Sequence, residues 1–194
     1  MSDKGAVGLL SSFLRHRRIS VVKPYVKGRV LDVGCGTGPL TDIVPHKLYL
    51  GIDNNNNVLQ QASILHPKYN FQDELPLVKE KFNTIVVLAV IEHISNPIDF
   101  LVSLANRLGN SNKDSIICTT PHPSMGWVHT VGAAFGIFSK HASEQHEELL
   151  NKQRIIEIAE KCNLNVTFYK RFLCGANQLI ILQRLPTEDY FKEA

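Results

Sequence analysis

The sequence lacks the segments that place a chain in a membrane or on nucleic acid. Its longest apolar run, residues 85–91, is far shorter than the roughly 20 residues of a transmembrane helix. The first residues do not show the charge, apolar core and cleavage site of a secretory signal peptide. Acidic and basic residues nearly balance at a net charge of +3, without a dense cluster of Lys and Arg. We expect no transmembrane segment and no nucleic-acid partner, while contact with a membrane surface stays open.

Cysteine is also scarce and scattered. The four cysteines stand at positions 35, 118, 162 and 174, and no two of them form a Cys-x-x-Cys pair. This spacing argues against a disulfide framework and against a zinc site, so we predict no metal. A chain of this kind is typical of a reducing compartment, and we expect a cytoplasmic protein.

The length and apolar content describe one folded unit. The chain has 194 residues, of which 44% are hydrophobic, which is enough to bury a sizeable core. We predict a single domain over residues 1–194, with an N-terminal helical cap at 1–27, a core at 28–183 and a polar tail at 184–194. A monomer and a homodimer both fit this composition.

A glycine-rich run follows the first apolar strand. Val30, Leu31 and Val33 indicate a short buried strand, and Gly34-Cys35-Gly36-Thr37-Gly38 then interrupts it. Glycines let the backbone turn tightly and approach a ligand, because no Cβ stands in the way. A strand, a glycine loop and a helix start at Pro39 form the arrangement that binds nucleotide-like ligands at the carboxyl end of a parallel sheet.

The rest of the chain alternates between apolar runs and helical patterns, which predicts an α/β fold. The predicted strands are residues 30–33, 48–53, 69–72, 82–91, 115–120, 166–169 and 178–183. The predicted helices are residues 6–18, 40–44, 58–65, 95–108 and 147–162. The first helix is amphipathic with a basic end, which we interpret as a helix packed on the domain with cations close to its C-terminus that favour the helix dipole, or as a membrane or acidic-substrate contact.

The run from Val30 to Gly38 closely resembles the first motif of class I S-adenosylmethionine-dependent methyltransferases. A dinucleotide fingerprint would need a glycine at position 39, where this chain has Pro. The resemblance covers roughly residues 28–183. It implies S-adenosyl-L-methionine as cofactor and a Rossmann-like, seven-stranded, mostly parallel sheet with an antiparallel terminal hairpin and helices on both faces.

Acidic residues at strand ends extend the predicted cofactor site. Asp53 ends the second strand, where an acid can accept hydrogen bonds from both ribose hydroxyls. The family often has an apolar residue against the adenine at the position of Asn54, and Asp73 matches its adenine-side acid. The cofactor-binding residues that the resemblance implies are Asp32, Gly34, Cys35, Gly36, Gly38, Asp53, Asn54, Asp73, Glu74, Leu75 and Ala89.

The candidate catalytic residues follow the fourth and fifth predicted strands. Glu92-His93-Ile94 resembles the fourth motif of small-molecule methyltransferases, and the Asn/Asp-Pro-Pro-aromatic motif of enzymes that methylate DNA bases is absent. A base is needed only if the acceptor holds its proton, as a hydroxyl does. We predict His93 as that base, with His122 and Glu92 as further candidates. For His93 a role in capping or orienting a loop is the alternative, and for Glu92 a structural role is the alternative and the favoured one.

Residues 124–140 are rich in Gly and apolar side chains and include the only Trp. We predict a lid that forms the pocket for an acceptor with an apolar body; a core helix, a dimer contact and a membrane patch are the alternatives. The predicted reaction is methyl transfer to a small-molecule or lipid- or sugar-linked acceptor by in-line displacement. A non-catalytic cofactor-binding subunit stays open, as does, less favoured, an NAD-dependent oxidoreductase, whose longer glycine fingerprint and Tyr-x-x-x-Lys pair are missing.

Overall fold

The computed structural model describes residues 3–123 and 150–185, with side chains described from residue 12 onwards. Residues 124–149, which contain the predicted lid, and the tail from residue 186 lie outside this description. The strands are β1 (Val30–Val33), β2 (Tyr49–Ile52), β3 (Asn70–Gln72), β4 (Thr84–Leu88), β5 (Ser115–Pro121), β6 (Leu164–Phe172) and β7 (Asn177–Arg184). The helices are α1 (Asp3–Val22), α2 (Asn56–Leu65), α3 (Pro97–Ala105) and α4 (Lys152–Lys161).

The seven strands form one sheet in the order β3-β2-β1-β4-β5-β7-β6. The first five strands pair in parallel, and β7 runs antiparallel to both β5 and β6. This confirms the predicted mostly parallel sheet with an antiparallel terminal hairpin. Because β1 and β4 are neighbours and the chain leaves them toward opposite edges, the carboxyl ends of the central strands form the crevice where ligands bind in such sheets.

Two apolar clusters cover the two faces of the sheet, so helices lie on both faces as predicted. One cluster packs α3 and α4, through residues such as Leu104 and Ile158, against β4, β5 and β7. The other packs Ile19 and Val22 of α1 against β1, β4 and β5. Among the described residues, no helix is both long enough and apolar enough to cross a membrane.

Asparagine side chains cap the N-termini of α2, α3 and α4. The Asn55 side chain accepts hydrogen bonds from the backbone N–H groups of Asn57 and Val58, as the asparagine run predicts for this helix. Asn96 caps α3 and Asn151 caps α4 in the same way. The last helix was predicted to begin at residue 147. It begins at Lys152 after the cap Asn151, so the prediction is wrong for residues 150 and 151, while residues 147–149 lie outside the described part of the chain.

Three other predicted elements differ from the structure. The helix predicted at 40–44 is wrong: the chain makes a 3-10 turn at Pro39–Asp42, and Pro45 disfavours helical geometry at the residue before it. The fourth strand ends at Leu88, not at residue 91, because Ala89 has a positive φ of 56°. The third helix ends at Ala105, short of residue 108.

The first helix is also longer than predicted. It extends to Val22, and its last turn contains no basic residue. Our interpretation that its cations favour the C-terminal dipole is therefore wrong. Arg18 lies a turn earlier, where its guanidinium bonds to Asn177.

A buried hydrogen bond lies beneath the glycine loop. The Tyr49 hydroxyl donates to Asp32 Oδ2 at 2.8 Å, and both residues are buried. Gly51 pairs with Asp32 across the two strands, and a Cβ on Gly51 would lie 2.7 Å from the Tyr49 oxygen. The missing side chain therefore leaves the room in which Tyr49 reaches Asp32. Burial raises the pKa of Asp32 to about 7, although the bond from Tyr49 opposes this rise.

We expect Asp32→Asn to stabilise the protein at neutral pH relative to the wild type. The folded-state pKa of Asp32 lies above its usual 3.8, so folding favours the protonated acid. Wild-type stability is unaffected below about pH 4 and falls by up to roughly 1.4 kcal/mol per pH unit as the pH rises toward 7. Urea unfolding of both proteins between pH 4 and 7 measures this difference. Exposed Asp42→Asn is the matched control. If the difference in the free energy of unfolding between wild type and Asp32→Asn does not change with pH, the assignment is contradicted.

Candidate functional site

The glycine loop after β1 turns through three glycines with positive φ. The φ values are 71° at Gly34, 56° at Gly36 and 79° at Gly38, where any L side chain would be strained. A Cβ on Gly34 would collide with Val90, and one on Gly38 would lie 3.0 Å from Phe71. A Cβ on Gly36 would meet no atom within 4 Å. Gly36 is thus the glycine of the loop that faces open space, where a ligand can approach the backbone.

The first residues of the loop are fixed to the neighbouring strand. The backbone N–H groups of Gly34 and Cys35 both donate to the Ile52 carbonyl oxygen, at 2.8 and 2.9 Å. The Cys35 side chain is buried, and this burial raises the pKa of its thiol above the usual value. Cys35 therefore packs beneath the loop as an unreactive thiol, and only its backbone belongs to the loop surface.

Asp53 connects the loop to the start of α2. Its Oδ2 accepts from the Gly36 N–H at 2.9 Å, and its Oδ1 accepts from the Asn55 N–H at 3.0 Å. A carboxylate can accept about four hydrogen bonds, so roughly two positions on this half-buried group stay available. Two neighbouring hydroxyl groups, such as those of a ribose, match that remaining capacity.

The other predicted cofactor residues occupy three different environments. Asp32 lies beneath the loop and is occupied by Tyr49. Asn54 and Asp73 are exposed after β2 and β3, whereas Leu75 packs against the core. Because β3, β2 and β1 are adjacent, the sheet brings their carboxyl ends to one edge. Asn54 and Asp73 thus flank the open space in front of the loop.

Glu74 and Ala89, which are also predicted cofactor residues, make their hydrogen bonds at this site through the backbone. The Glu74 carbonyl accepts from the Gln72 side chain at 2.6 Å, while the Glu74 side chain is exposed. Ala89, directly after β4, has its positive φ held by a bond from its N–H to the Thr119 carbonyl at 2.8 Å. Positive φ at a residue other than glycine costs free energy, and such residues cluster at functional sites.

The three candidate catalytic residues lie at the carboxyl ends of β4 and β5. Glu92 and His93 belong to a 3-10 turn at Ile91–His93, and His122 follows β5. His93 is exposed. The His122 backbone N–H donates to the Ala176 carbonyl at 2.9 Å, and partial burial and then the charge of Arg171 lower the pKa of His122.

Glu92 differs from the two histidines because its carboxylate is largely enclosed. Burial raises the pKa of Glu92, and the Thr120 hydroxyl and the charges of His93 and Arg18 oppose this rise. Its Oε2 is buried and has no hydrogen-bond partner among the described residues. An enclosed acid with an unused oxygen suits proton transfer better than an exposed imidazole does.

An apolar cavity lies between α3, α4 and the sheet, below Glu92. Its volume is about 10 Å³, and its lining includes Ile91, Leu101, Cys118 and Ile158. That space holds one water molecule at most, so it is a packing defect of the core. Within residues 3–123 and 150–185, no group of His, Cys, Asp or Glu is arranged to hold a metal ion.

Four residues that sequence reasoning missed belong to this region. Asn55 and Tyr49 donate hydrogen bonds to the two acids, and Arg18 and Thr119 each have a buried polar atom without a partner among the described residues. The asparagine run and the Tyr-x-Gly pattern in β2 were visible signals for the first two. Nothing in the sequence indicated the unused polar atoms of Arg18 and Thr119.

Comparison with protein families gives the chain its assignment. Residues 12–167, well over half of the chain, match the family model described as a methyltransferase domain. No curated protein matches the sequence.

Solved structures share the fold at low sequence identity. A methyltransferase from Clostridium acetobutylicum that depends on S-adenosylmethionine is 12% identical, with a TM-score of 0.61 over 89% of this chain and 90% of that one. The plantazolicin methyltransferase BpumL, solved with S-adenosylhomocysteine (SAH), is 16% identical, with a TM-score of 0.64 over 95% and 91%. The [4+2]-cyclase SpnF is 11% identical, with a TM-score of 0.66 over 87% and 80%.

These structural likenesses show the fold, and the cyclase among them shows that the fold alone does not determine the reaction. The family match, the sheet order and the glycine loop followed by Asp53 agree with one another. The chain therefore belongs to the methyltransferase-domain family and is a class I S-adenosylmethionine-dependent methyltransferase.

Proposed function

We propose that this enzyme methylates a small-molecule or lipid- or sugar-linked acceptor bound over the carboxyl ends of β4 and β5. The observation that carries the proposal is the position of Glu92, His93 and His122 at those strand ends, beside the glycine loop of β1. The cofactor supplies an activated methyl group, so the protein mainly positions the two reactants. This is consistent with an in-line displacement, in which the acceptor attacks the methyl group that the cofactor has activated.

The site geometry supports the following cofactor-binding roles. Asp53 accepts the ribose hydroxyls with its two unused positions, while the backbone at Gly36 lies against the ligand. Asp73 accepts the exocyclic amine of the adenine, with Asn54 beside the ring. Asp32 acts from below, through Tyr49 and the loop, because its carboxylate is buried. Gly34, Gly38 and Ala89 give the backbone its shape, Cys35 contributes its backbone to the loop, Glu74 adds an exposed acid, and Leu75 supports this region from the core.

Glu92 is the preferred base among the three candidates. Its enclosed carboxylate has an oxygen without a partner, whereas His93 is exposed. His93 can pass the proton on to solvent, and His122 borders the same strand ends.

Cys35, Cys118 and Cys162 are buried and unpaired, which supports a reducing, cytoplasmic location. A peripheral membrane contact fits an apolar acceptor, and the enzyme acts as a monomer or a homodimer.

The assignment of Asp53 predicts a loss of cofactor affinity. Asp53→Ala removes hydrogen bonds to a charged group and releases the loop, so we expect SAH to bind about tenfold more weakly or worse. Isothermal titration calorimetry measures this change. Asp53→Asn keeps one carbonyl oxygen and should lose less, and exposed Asp42→Ala is the control. Unchanged affinity in a folded Asp53→Ala protein would refute the role.

The assignment of Glu92 predicts a loss of turnover with a hydroxyl or amine acceptor. We expect Glu92→Gln to lower kcat by about 10²–10⁴, and His93→Ala and His122→Ala each by less than about tenfold. The assay follows tritium from labelled S-adenosylmethionine into a fractionated metabolite extract. Turnover of the wild type should rise with pH as Glu92 loses its proton.

Two controls frame this assay. Glu160→Gln, an exposed acid on α4, should leave kcat unchanged, and SAH affinity should hold in all three site variants. If His93→Ala loses as much turnover as Glu92→Gln was expected to lose, the base is His93.

A further inference from the structure

Three buried polar atoms at the acceptor side have no hydrogen-bond partner among the described residues. They are Arg18 Nε, Glu92 Oε2 and Thr119 Oγ1. They belong to α1, the 3-10 turn after β4, and β5. A buried polar group without a partner costs free energy, and native proteins rarely leave one unexplained. Three of them at one edge of the sheet point to a bound group that satisfies them.

Arg18 and Thr119 approach this edge from the face covered by α1. Thr119 shares its side of β5 with Ile117, which packs with Ile19 of α1. Arg18 Nη2 donates to Asn177 Oδ1 at 3.5 Å, and Asn177 pairs with the last residue of β5. The guanidinium is therefore held over the carboxyl end of β5, with its Nε–H unused.

Glu92 approaches the same edge from the other face. Its carboxylate interacts with Thr120, which lines the cavity beside α3 and α4. The charge of Arg18 reaches it and lowers its pKa against the effect of burial. The ion pairs of the described chain are Arg29–Glu80 and Arg154–Glu157, so Arg18 and Glu92 do not contact each other directly. Arg18 Nε–H is therefore a buried donor, and Glu92 Oε2 a buried acceptor, that do not bond to each other.

We propose that the head group of the acceptor binds between Arg18 Nε–H and Glu92 Oε2, and that it is a neutral group with a carbonyl oxygen next to an O–H or N–H. The carbonyl oxygen accepts from Arg18 Nε–H, and the O–H or N–H donates to Glu92 Oε2. Amides and hydroxycarbonyl compounds have this chemistry. The inference rests on the proposed function, because it names the acceptor class of the same site.

Charge balance favours a neutral head group. Arg18 and Glu92 already form one cation and one anion, and a carboxylate on the ligand would lie next to Glu92. Like charges at that distance in a partly enclosed site repel each other. The Thr119 hydroxyl both donates and accepts, so it adapts to either orientation of the head group.

The arrangement also specifies where the proton goes. The lone pair of the acceptor O or N forms a bond to the methyl carbon, while the sulfur–carbon bond breaks and its electron pair stays on sulfur. The proton on the acceptor O or N passes to the Glu92 carboxylate. Arg18 polarises the adjacent carbonyl, which makes that proton more acidic. Arg18 is thus a specificity-determining residue, and Glu92 receives the proton.

Nitrogen-15 NMR of the arginine Nε–Hε groups tests the inference directly. The probe is glycolamide, which carries a hydroxyl next to an amide carbonyl, added to the protein saturated with SAH. We expect the Arg18 signal, identified by its absence in Arg18→Lys, to shift on titration. Arg18→Gln should weaken glycolamide binding, followed on backbone amides near residue 92, by about tenfold or more. Exposed Arg17→Gln should change it by less than about twofold.

Two related probes separate the contributions of the head group. Acetone keeps a carbonyl oxygen but has neither an O–H nor an N–H, so it should bind several-fold more weakly than glycolamide, and Glu92→Ala should remove this preference. Glycolate carries a negative charge and should bind no better than glycolamide. Thermal unfolding of each variant establishes that it is folded, and Glu92→Gln provides a second test if Glu92→Ala is not.

Several outcomes would overturn the inference. An Arg18 signal that glycolamide leaves unmoved excludes the head-group site, and tighter binding of glycolate makes it an anion site. If SAH itself moves the Arg18 signal and Arg18→Gln weakens SAH about tenfold, Arg18 belongs to the cofactor site. Failure of SAH to bind the wild type would instead refute the proposed function, and titration of the free protein with glycolamide would still decide the role of Arg18.

Discussion

The site depends on the two hydrogen bonds that the Asp53 carboxylate accepts. The carboxylate accepts one backbone N–H from the glycine loop and one from the start of α2, so a single side chain sets the distance between them. Backbone donors in a tight loop cannot be aligned by apolar packing alone, since packing has no preferred direction. The geometry available to a cofactor follows from this one group, and the buried Asp32–Tyr49 bond supports the loop from below.

The two halves of the crevice are built on different principles. On the side of β1 and β2, Asp32 and Asp53 already accept hydrogen bonds from the protein, and in our proposal the cofactor uses what remains on Asp53 and the backbone. On the side of β4 and β5, Arg18, Glu92 and Thr119 have polar atoms that find no partner within the described part of the chain. A complete network suits a cofactor that is the same across a family, whereas unused donors and acceptors are free to match one particular acceptor.

Much of the fold could be predicted because its signals are local. The apolar runs located all seven strands, and the glycines and asparagines located the loop and the start of α2. The predictions failed where a local pattern competed with a neighbour. Residues 40–44 have helical composition, but Pro45 restricts the preceding backbone. The apolar run of β4 continues to residue 91, yet the positive φ of Ala89 ends the strand at Leu88.

The sequence by itself determined the order of the elements and the glycine loop with Asp53 behind it, and the resemblance of that loop to a known family motif indicated the class of protein. The elements and the loop depend on periodicity, on glycine's access to positive φ and on spacing along the chain. Only the tertiary structure decided which side chains are enclosed and which of them meet. Arg18 and Glu92 are 74 positions apart, and Arg18 reaches the acceptor side only because α1 packs across the sheet face and Asn177 holds its guanidinium. Burial and unused hydrogen-bonding capacity depend on contacts that are distant in the chain, so no local pattern encodes them.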